Sequence, residues 1–347
     1  VMIGVVVSML LAGCTGSNHS GLTPQQSSVS GANGLPWSSV GLSPVAFPVA
    51  LAVQKSSRGG SWMSRAASSS KVLMYASDET SQSVEVFKYD GGKQPKLIGD
   101  LAGPLAQLEY PTAPCADTSG NVYIPDAYTG VITEYAYGST TPEKTLDDRG
   151  NTPTGCSVDP ITGNLAVVNY SHASVSVYKQ AMGEPKIHNI PNWPYTVFGA
   201  YDNEGNLFVS ARDPNGLFGL FRLSRGSTSF KHMTVTGGTV YFPGQLQWSN
   251  GYLLVGDQAI NHNNFPSGVD QTKVSGTTAH IVHAVSFTGT IDVIAGWNYG
   301  SGKAAKYVAP DSTTYSAFVF KLWNGAEKST FSVDGNVYGT VIVPKPR

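Results

Sequence analysis

Charged residues, cysteines and catalytic signatures are all scarce in this sequence of 347 residues. Only 13% of the residues are charged, and 22 Lys and Arg residues almost balance 23 Asp and Glu residues. A chain without an excess of basic residues lacks the electrostatic footprint of a nucleic-acid-binding protein. The sequence also lacks a Gly-x-Ser-x-Gly elbow, a His-Glu-x-x-His motif, a Cys-x-x-Cys pair and a phosphate-binding loop. No common enzyme signature therefore assigns a reaction.

A short phrase recurs three times at a nearly constant interval. Each copy starts at Asp117, Asp159 or Asp202, reaches a Gly-Asn pair and continues into an apolar run. The three glycines are 43 and then 42 residues apart. Gly and Asn tolerate left-handed backbone, and apolar residues alternate on both sides, so the phrase predicts a β-hairpin. Two more β-rich runs follow each hairpin, and four strands per repeat of this length are typical of a β-propeller blade.

The spacing predicts an all-β fold, a six-bladed β-propeller over residues 71–347, with seven blades as the alternative. The uncertain stretch for this count is 296–306. The first blade lacks an innermost strand, whereas the last strand, 336–343, has no blade of its own. We therefore expect the C-terminal strand to complete the first blade and close the ring, which would hide both free edges. A shortened copy of the turn phrase just before it favours a second-strand position instead.

The fifth blade shows the pattern less clearly than the others. We predict a hairpin at 245–257, a long turn at 258–278 and two further strands at 280–287 and 291–295.

The N-terminal residues have the pattern of an export signal. Residues 1–14 are largely apolar and end in Leu-Ala-Gly-Cys14, which resembles the lipobox of bacterial lipoproteins. The apolar run is too short to span a bilayer, and small residues precede the cysteine. We expect Cys14 to carry a lipid, so that the protein is extracytoplasmic and meets the membrane only through this anchor. No Lys or Arg precedes the apolar run, which departs from the usual signal-peptide pattern.

Residues 15–70 predict a flexible Ser/Gly-rich tether between the signal peptide and the propeller. A more apolar piece within it, 44–53, contains two prolines, which disfavour a helix. This piece either packs on the propeller or stays free.

Two cysteines remain in the repeat region. Cys115 and Cys156 precede the turns of consecutive blades, so both belong to innermost strands that converge on the channel. A disulfide between them fits this geometry and an exported protein. Two buried free thiols are the alternative, because the offsets from each cysteine to the following Asp differ by one residue.

A polar residue follows the second strand of most blades at a regular offset. The series is Asp78, Asp126, Asn169, Asp257 and Asp311 in blades 1, 2, 3, 5 and 6, with Ala211 interrupting it beside Arg212 in blade 4. These side chains should form one rim at the channel mouth, where each caps its own turn. The alternative is a ring that binds a polyhydroxylated ligand or calcium, with Asp126, Asn169 and Asp257 as metal ligands. His172 and His262, in turns placed on the same rim, are further ligand candidates.

The turn phrase with its following Asp or Asn resembles the repeats of NHL-repeat and gluconolactonase-like β-propellers. The resemblance covers about residues 71–343 and is specific for 117–211. It implies a group that includes scaffolds, ligand sensors, calcium-dependent lactonases and lyases. The catalytic residues of these enzymes cannot be matched to positions in this sequence, so the catalytic residues are unknown.

Three functions stay open at this point. We predict a ligand-binding or scaffold module, without a cofactor, whose partner is carbohydrate or a cell-envelope protein. The second function is a metal-dependent, lactonase-like hydrolase or lyase with its site at the channel mouth and calcium as its metal. The third is a component of cell-envelope assembly that pairs through residues 44–53.

Overall fold

The computed structural model describes residues 60–91, 94–104, 106–258, 267–287, 293–311 and 314–347. Six sheets of four or five strands follow one another along the chain. The innermost strands of neighbouring sheets pack against each other, and those of the sixth and second sheets both contact the C-terminal strand, so the ring is closed. The fold is a six-bladed β-propeller, which confirms the predicted count over seven blades. No helix in the described ranges is long and apolar enough to cross a membrane.

The recurring phrase forms the tight turn between the first and second strands of a blade. In the first copy, Asp117 Oδ1 accepts hydrogen bonds from the backbone N–H groups of Ser119 and Asn121, at 2.8 and 2.9 Å. Gly120 has a φ of 85°, a conformation that L side chains rarely adopt. Asp202 accepts two backbone N–H bonds within its own turn in the same way. The phrase recurs because every copy of this turn needs the same carboxylate and glycine.

Blades 1 to 3 are built from the first half of the described chain and the C-terminal strand. The strands of blade 1, from the axis outward, are Val337–Pro344, Val72–Asp78, Ser83–Lys88, Lys96–Leu101 and Trp62–Met63. Those of blade 2 are Cys115–Ala116, Val122–Pro125, Val131–Tyr135 and Pro142–Asp147. Those of blade 3 are Pro153–Val158, Leu165–Asn169, Ser174–Lys179 and Met182–Asn189. In all three blades the second strand is buried along its whole length, because sheets pack on both of its faces.

Blades 4 to 6 complete the ring. The strands of blade 4 are Tyr195–Tyr201, Leu207–Arg212, Phe218–Leu223 and Lys231–His232. Those of blade 5 are Pro243–Ser249, Tyr252–Asp257, Gly268–Ser275, Thr278–Ser286 and a parallel edge strand, Thr234–Thr236. Those of blade 6 are Trp297–Tyr299, Lys306–Asp311, Ser316–Lys321 and Glu327–Ser332. The edge strand of blade 5 follows directly on the outermost strand of blade 4, so one segment joins the two sheets.

The C-terminal strand closes the ring, as predicted. Val337–Pro344 pairs antiparallel with Val72–Asp78 along its full length. Val341 and Val343 pack into the core shared with blade 2, whereas Ile342 packs into the core shared with blade 6. The strand therefore joins both neighbours of blade 1, and it takes the innermost position rather than the second.

The predicted strand pattern of blade 5 was wrong in one place. The expected long turn, 258–278, contains the third strand, Gly268–Ser275. The buried positions of this strand include Asp270 and Thr272 as well as Val269. Polar side chains at core positions hid the apolar alternation on which the prediction depended.

Two further segments differ from the expectation. Residues 293–295 form no strand, and Thr278–Ser286 is the outermost antiparallel strand of blade 5. The stretch 296–306 contains Trp297–Tyr299, the innermost strand of blade 6.

The first blade includes residues that precede the predicted boundary at residue 71. Trp62–Met63 pairs with the outer strand of blade 1, and a single helical turn, Ala66–Ser69, follows it. The Tyr137 hydroxyl on blade 2 donates to the Ser70 carbonyl at 3.0 Å. Cys14 and the segment 44–53 lie outside the described residues.

Buried threonines in the innermost strands, or just before them, donate hydrogen bonds to the neighbouring blade. Thr112 Oγ1 donates to the Pro153 carbonyl at 3.2 Å, and Thr154 Oγ1 donates to the Val197 carbonyl. Thr196 Oγ1 donates to the end of the second strand of blade 3 at 2.6 Å. The three threonines are 42 residues apart, a periodic signal that the sequence analysis missed.

Candidate functional site

The mouth is defined here as the end of the axis that carries the turns between second and third strands. Asp126 lies there, buried, and its carboxylate accepts five hydrogen bonds. Oδ2 accepts from the backbone N–H groups of Glu109 and Tyr110, at 2.7 and 2.6 Å. Oδ1 accepts from the Tyr128 N–H and from the N–H and Oγ1 of Thr129, at 2.8 to 3.1 Å. Burial raises the pKa of Asp126, and these hydrogen bonds oppose that shift.

Asp257 repeats half of this pattern in blade 5. Its two carboxylate oxygens accept from the backbone N–H groups of Tyr241 and Phe242, each at 2.9 Å. In blades 2 and 5 alike, the donors immediately precede a proline; Pro111 lies shortly before the innermost strand of blade 2, and Pro243 starts that of blade 5. The carboxylate therefore holds the segment that leads into its own blade, a contact that a turn-capping motif alone does not predict.

Asp78 and Asp311 bind within their own turns. Asp78 Oδ1 accepts from the N–H groups of Thr80 and Ser81, at 2.9 and 3.1 Å. Asp311 Oδ2 accepts from Thr314 Oγ1 at 2.9 Å. These contacts match the turn-capping interpretation of the rim. The ligand-binding role of these side chains stays a prediction.

The remaining rim candidates have different surroundings. Asn169 is buried inside blade 3, where its Nδ2 donates to Ser176 Oγ at 2.8 Å, and this hydroxyl donates to Asp148 Oδ1 at 2.7 Å. His172 is exposed at the end of a short 3-10 turn. His262 lies outside the described residues.

Each of the predicted metal ligands has protein hydrogen-bond partners of its own. Asp126, Asn169 and Asp257 belong to blades 2, 3 and 5, and each binds groups in its own blade or in the segment leading into it. In the part of the chain that the structure covers, no three His, Cys, Asp or Glu side chains converge in a group that could hold a metal ion. A calcium site formed by these three residues stays a prediction.

Aromatic side chains fill the axis below the mouth. Phe198 belongs to the innermost strand of blade 4 and Tyr338 to that of blade 1, on opposite sides of the ring. Their ring centroids are 6.2 Å apart, and Tyr110 packs against Tyr338 at the same distance. The two ends of the axis are therefore separate sites.

Glu79 is the carboxylic acid with the most unusual environment at the mouth. It is only 9% exposed and follows Asp78 in the first blade. Burial is the main cause that raises the pKa of Glu79 to about 7; the charge of Asp78 contributes to this shift, and hydrogen bonds from Tyr110 and Asn336 reduce it. This acid therefore titrates near neutral pH.

We expect the free energy of unfolding to fall as the pH rises from about 4.5 to about 7, because Glu79 stays protonated longer in the folded protein. The folded state binds more protons in this window, so the stabilisation is complete below it and is lost as the pH passes the folded pKa. The full effect is about 3 kcal/mol. Glu79→Gln should remove it in urea unfolding at about pH 5, 6 and 7. The exposed Glu143→Gln variant is the control, and an unchanged pH slope in Glu79→Gln would contradict the assignment.

Part of the pH slope should persist in the Glu79→Gln variant. Burial raises the pKa of Asp270 to about 7 as well, and the charge of Asp257 adds to this shift.

Arg212 occupies the mouth where the rim series of carboxylates is interrupted. Its side chain is only 5% exposed, and its guanidinium carbon lies 4.1 Å from the centroid of the Phe242 ring. Tyr170 and Tyr195 stack on each other at 4.7 Å and interact electrostatically with the guanidinium. Burial lowers the pKa of Arg212, and the two tyrosines and Asp213 oppose this shift. In the sequence, this position is visible only as a break in the rim series.

The opposite end of the axis holds a cavity of about 220 Å³. Its wall includes Trp248, Trp297 and the disulfide between Cys115 and Cys156, whose sulfur atoms are 2.07 Å apart. The disulfide joins the innermost strands of blades 2 and 3, with the two Cα atoms 5.5 Å apart. The register difference between the two cysteines does not prevent this pairing.

Large apolar side chains project from the mouth into solvent. Tyr128, Leu217 and Tyr315 are 56%, 65% and 52% exposed, in the turns of blades 2, 4 and 6. Tyr241 is 36% exposed in the segment leading into blade 5. We call these four side chains the apolar ring.

No protein-family model matches the chain, and no curated protein is similar to it in sequence. Solved structures do resemble it. A chain in the crystal structure of the nidogen/laminin complex superposes with a TM-score of 0.62 over 80% of this chain and 99% of that chain, at 14% sequence identity. In total, 1451 solved chains match the fold. Proteins with unrelated functions share this fold, so the fold alone does not identify the function of this chain. The chemistry of its surface has to do so.

Proposed function

We propose that this protein is an exported, lipid-anchored β-propeller that binds another protein at the mouth. The observation that carries the proposal is the apolar ring, which places large exposed side chains on one end of the fold. Exposed apolar groups of this kind, surrounded by polar residues, mark protein-binding surfaces. The carboxylates of Asp126 and Asp257 hold the segments around the ring by backbone hydrogen bonds, so little conformational entropy is lost on binding.

Charge at the mouth narrows the class of partner. Glu109 and Asp334 are exposed there, and Asp213 is half-buried. Acidic groups around an apolar centre favour a partner that presents basic residues around an apolar or aromatic centre. A protein is therefore a better fit than an uncharged carbohydrate.

Two further features support the proposal. The solved chain described above belongs to a complex of two proteins, so its fold is compatible with protein partners. The turn phrase resembles NHL repeats, and we propose that the blades are of that type.

The export part of the proposal is supported by the disulfide between Cys115 and Cys156, because structural disulfides form mainly in oxidising compartments. The lipobox-like sequence ending in Cys14 supports anchoring. Cys14→Ser should move the exported protein from the membrane fraction to the soluble fraction, and an unchanged membrane fraction would argue against the anchor.

Site-specific photo-crosslinking in envelope preparations tests the binding surface. A photoreactive residue placed at Tyr128, Leu217 or Tyr315 should yield the same discrete product with one envelope protein. The matched controls are Ile161 and Met182, which are 46% and 54% exposed near turns at the opposite end. These positions should yield no such product.

The identified partner is then purified and tested directly. A variant in which Tyr128, Leu217 and Tyr315 are all serine should bind at least about tenfold more weakly, because truncating central apolar side chains removes most of the binding energy. Equal crosslinking from Ile161, or no crosslinking from any mouth position, would contradict the proposal.

A further inference from the structure

We propose that Arg212 forms a carboxylate-binding site at the mouth. The Phe242 ring lies on one face of its guanidinium, and the stacked Tyr170 and Tyr195 lie beside it. Such a site depends on the surroundings of Arg212 alone and does not require the apolar ring to bind a protein.

Arg212 is buried with most of its hydrogen-bond donors unused. A guanidinium has five N–H donors. In the ranges that the structure describes, the side chain makes one hydrogen bond, from Nε to the Gly216 carbonyl at 3.4 Å, and neither Nη atom donates to a protein acceptor. Although the Arg212 side chain is buried as a whole, its Nη atoms keep some contact with solvent, so a group that carries acceptors can reach them from the mouth.

The neighbouring carboxylate does not fill this role. Asp213 attracts the guanidinium electrostatically. However, its Oδ1 accepts backbone N–H bonds from Asn215 and Leu217, at 2.8 and 2.7 Å. Asp213 is thus used to hold its own turn, and Arg212 keeps its donors for another acceptor.

The aromatic contact determines which part of the guanidinium is available. A ring stabilises a cation through its face but offers no lone pair to the N–H groups in the guanidinium plane. Contact with Phe242 therefore covers one face of Arg212 and leaves its edge, which carries the donors. Two parallel N–H groups on one edge match the two oxygens of a carboxylate.

Charge balance favours a carboxylate over a phosphate. One guanidinium neutralises one carboxylate, whereas a phosphate dianion would keep an uncompensated charge in a buried site. Glu109 and Asp213 at the same mouth would repel that extra charge further. The carboxylate can come from a small organic acid or from an acidic side chain of a protein, and the chemistry at Arg212 is the same.

The test measures the thermal unfolding of the intact protein in sodium acetate, sodium phosphate and sodium chloride at equal ionic strength. Acetate should raise Tm in a saturable manner, and chloride should not. Two blocked peptides, Gly-Ser-Asp-Ser-Gly and Gly-Ser-Asn-Ser-Gly, form a second arm. Stabilisation by acetate alone indicates a small acid, whereas stabilisation by the Asp peptide alone indicates a protein side chain.

Three variants make the test specific. Arg212→Gln should abolish the response, and Arg212→Lys should weaken the apparent affinity at least tenfold, since an ammonium cannot bind a carboxylate in bidentate form. Arg222 is the matched control, because it lies on the same blade over the Phe208 ring at 5.9 Å but donates to the Gly276 carbonyl at 2.9 Å. Arg222→Gln should keep the full response.

A second measurement does not depend on the stability of the variants. Line broadening of ¹³C-acetate by NMR gives the same comparison without unfolding, in case Arg212→Gln is itself unstable. An equal response in Arg212→Gln, tighter binding of phosphate than of acetate, or no response to any carboxylate would overturn the site. Failure of the crosslinking from the apolar ring would leave this result unaffected.

Discussion

A chain that ends after Asn336 should fail to form the closed ring. This truncation removes Val337–Pro344, the innermost strand of blade 1, and exposes the edge of Val72–Asp78. Five buried apolar side chains are lost with it: Val337, Tyr338, Val341, Ile342 and Val343. Burying a residue of this size contributes about 1.5–3 kcal/mol, so the loss is about 10 kcal/mol. This equals the whole stability of a typical domain, about 5–15 kcal/mol, and circular dichroism should show no cooperative thermal transition.

A milder truncation is the control for this experiment. A chain that ends after Pro344 loses only the tail contacts, in which Lys345 donates from its backbone N to the Lys71 carbonyl and from Nζ to the Ser68 carbonyl, both at 2.7 Å. It should fold. Adding a peptide of residues 335–347 should restore a cooperative transition to the longer truncation. Cooperative unfolding of that truncation within a few degrees of the full chain would refute the closure.

Removing the disulfide should be the next largest effect. Cys115 and Cys156 are 41 residues apart in sequence. Cross-linking a loop of this length lowers the entropy of the unfolded chain by an amount that stabilises the fold by about 4 kcal/mol. For a domain of this size, the variant with both cysteines changed to alanine should unfold about 10 °C lower, as measured by calorimetry.

Reduction provides the internal comparison. The wild-type protein in reductant should unfold at nearly the same temperature as the double alanine variant, because both lack the cross-link. The variant itself should not respond to reductant. A difference of less than about 1 kcal/mol between oxidised wild type and the variant would show that the constraint adds little to stability.

The features that could be predicted from the sequence are those set by local chemistry. The turn phrase depends on Asp117 and Gly120, which are three residues apart, so its meaning is visible without the fold. The strand alternation around it then predicts blades, and counting blades identifies the unpaired last strand. The strand Gly268–Ser275 was not predicted, because Asp270 and Thr272 occupy buried positions that usually hold apolar residues.

The candidate site could be predicted only in part. The regular offset from the turn glycine predicted that Asp126 and Asp257 lie on the rim. Their backbone partners could not be predicted in this way, because they lie in the segments that lead into the same blades; for Asp126 these partners are sixteen and seventeen residues earlier in the sequence. Arg212 is a stronger case, because Tyr170 and Phe242 reach it from blades 3 and 5. A contact among residues of three blades leaves no recognisable pattern in any single stretch of the sequence.

The paired ends of blade 1 also determine how the molecule responds to mechanical load. A pull on the chain from its N-terminal side enters the described structure at Trp62–Met63, an edge strand of two residues that pairs, among the residues described, with Lys96–Leu101 alone. Force there peels hydrogen bonds one at a time, so this strand should detach at low tension while the ring stays closed. If unfolding continues, the disulfide between Cys115 and Cys156 keeps the 41-residue loop closed, so about 140 Å of chain cannot be extended. Under load the protein would thus extend in steps: the short edge strand detaches first, and the cross-linked propeller resists until a higher force.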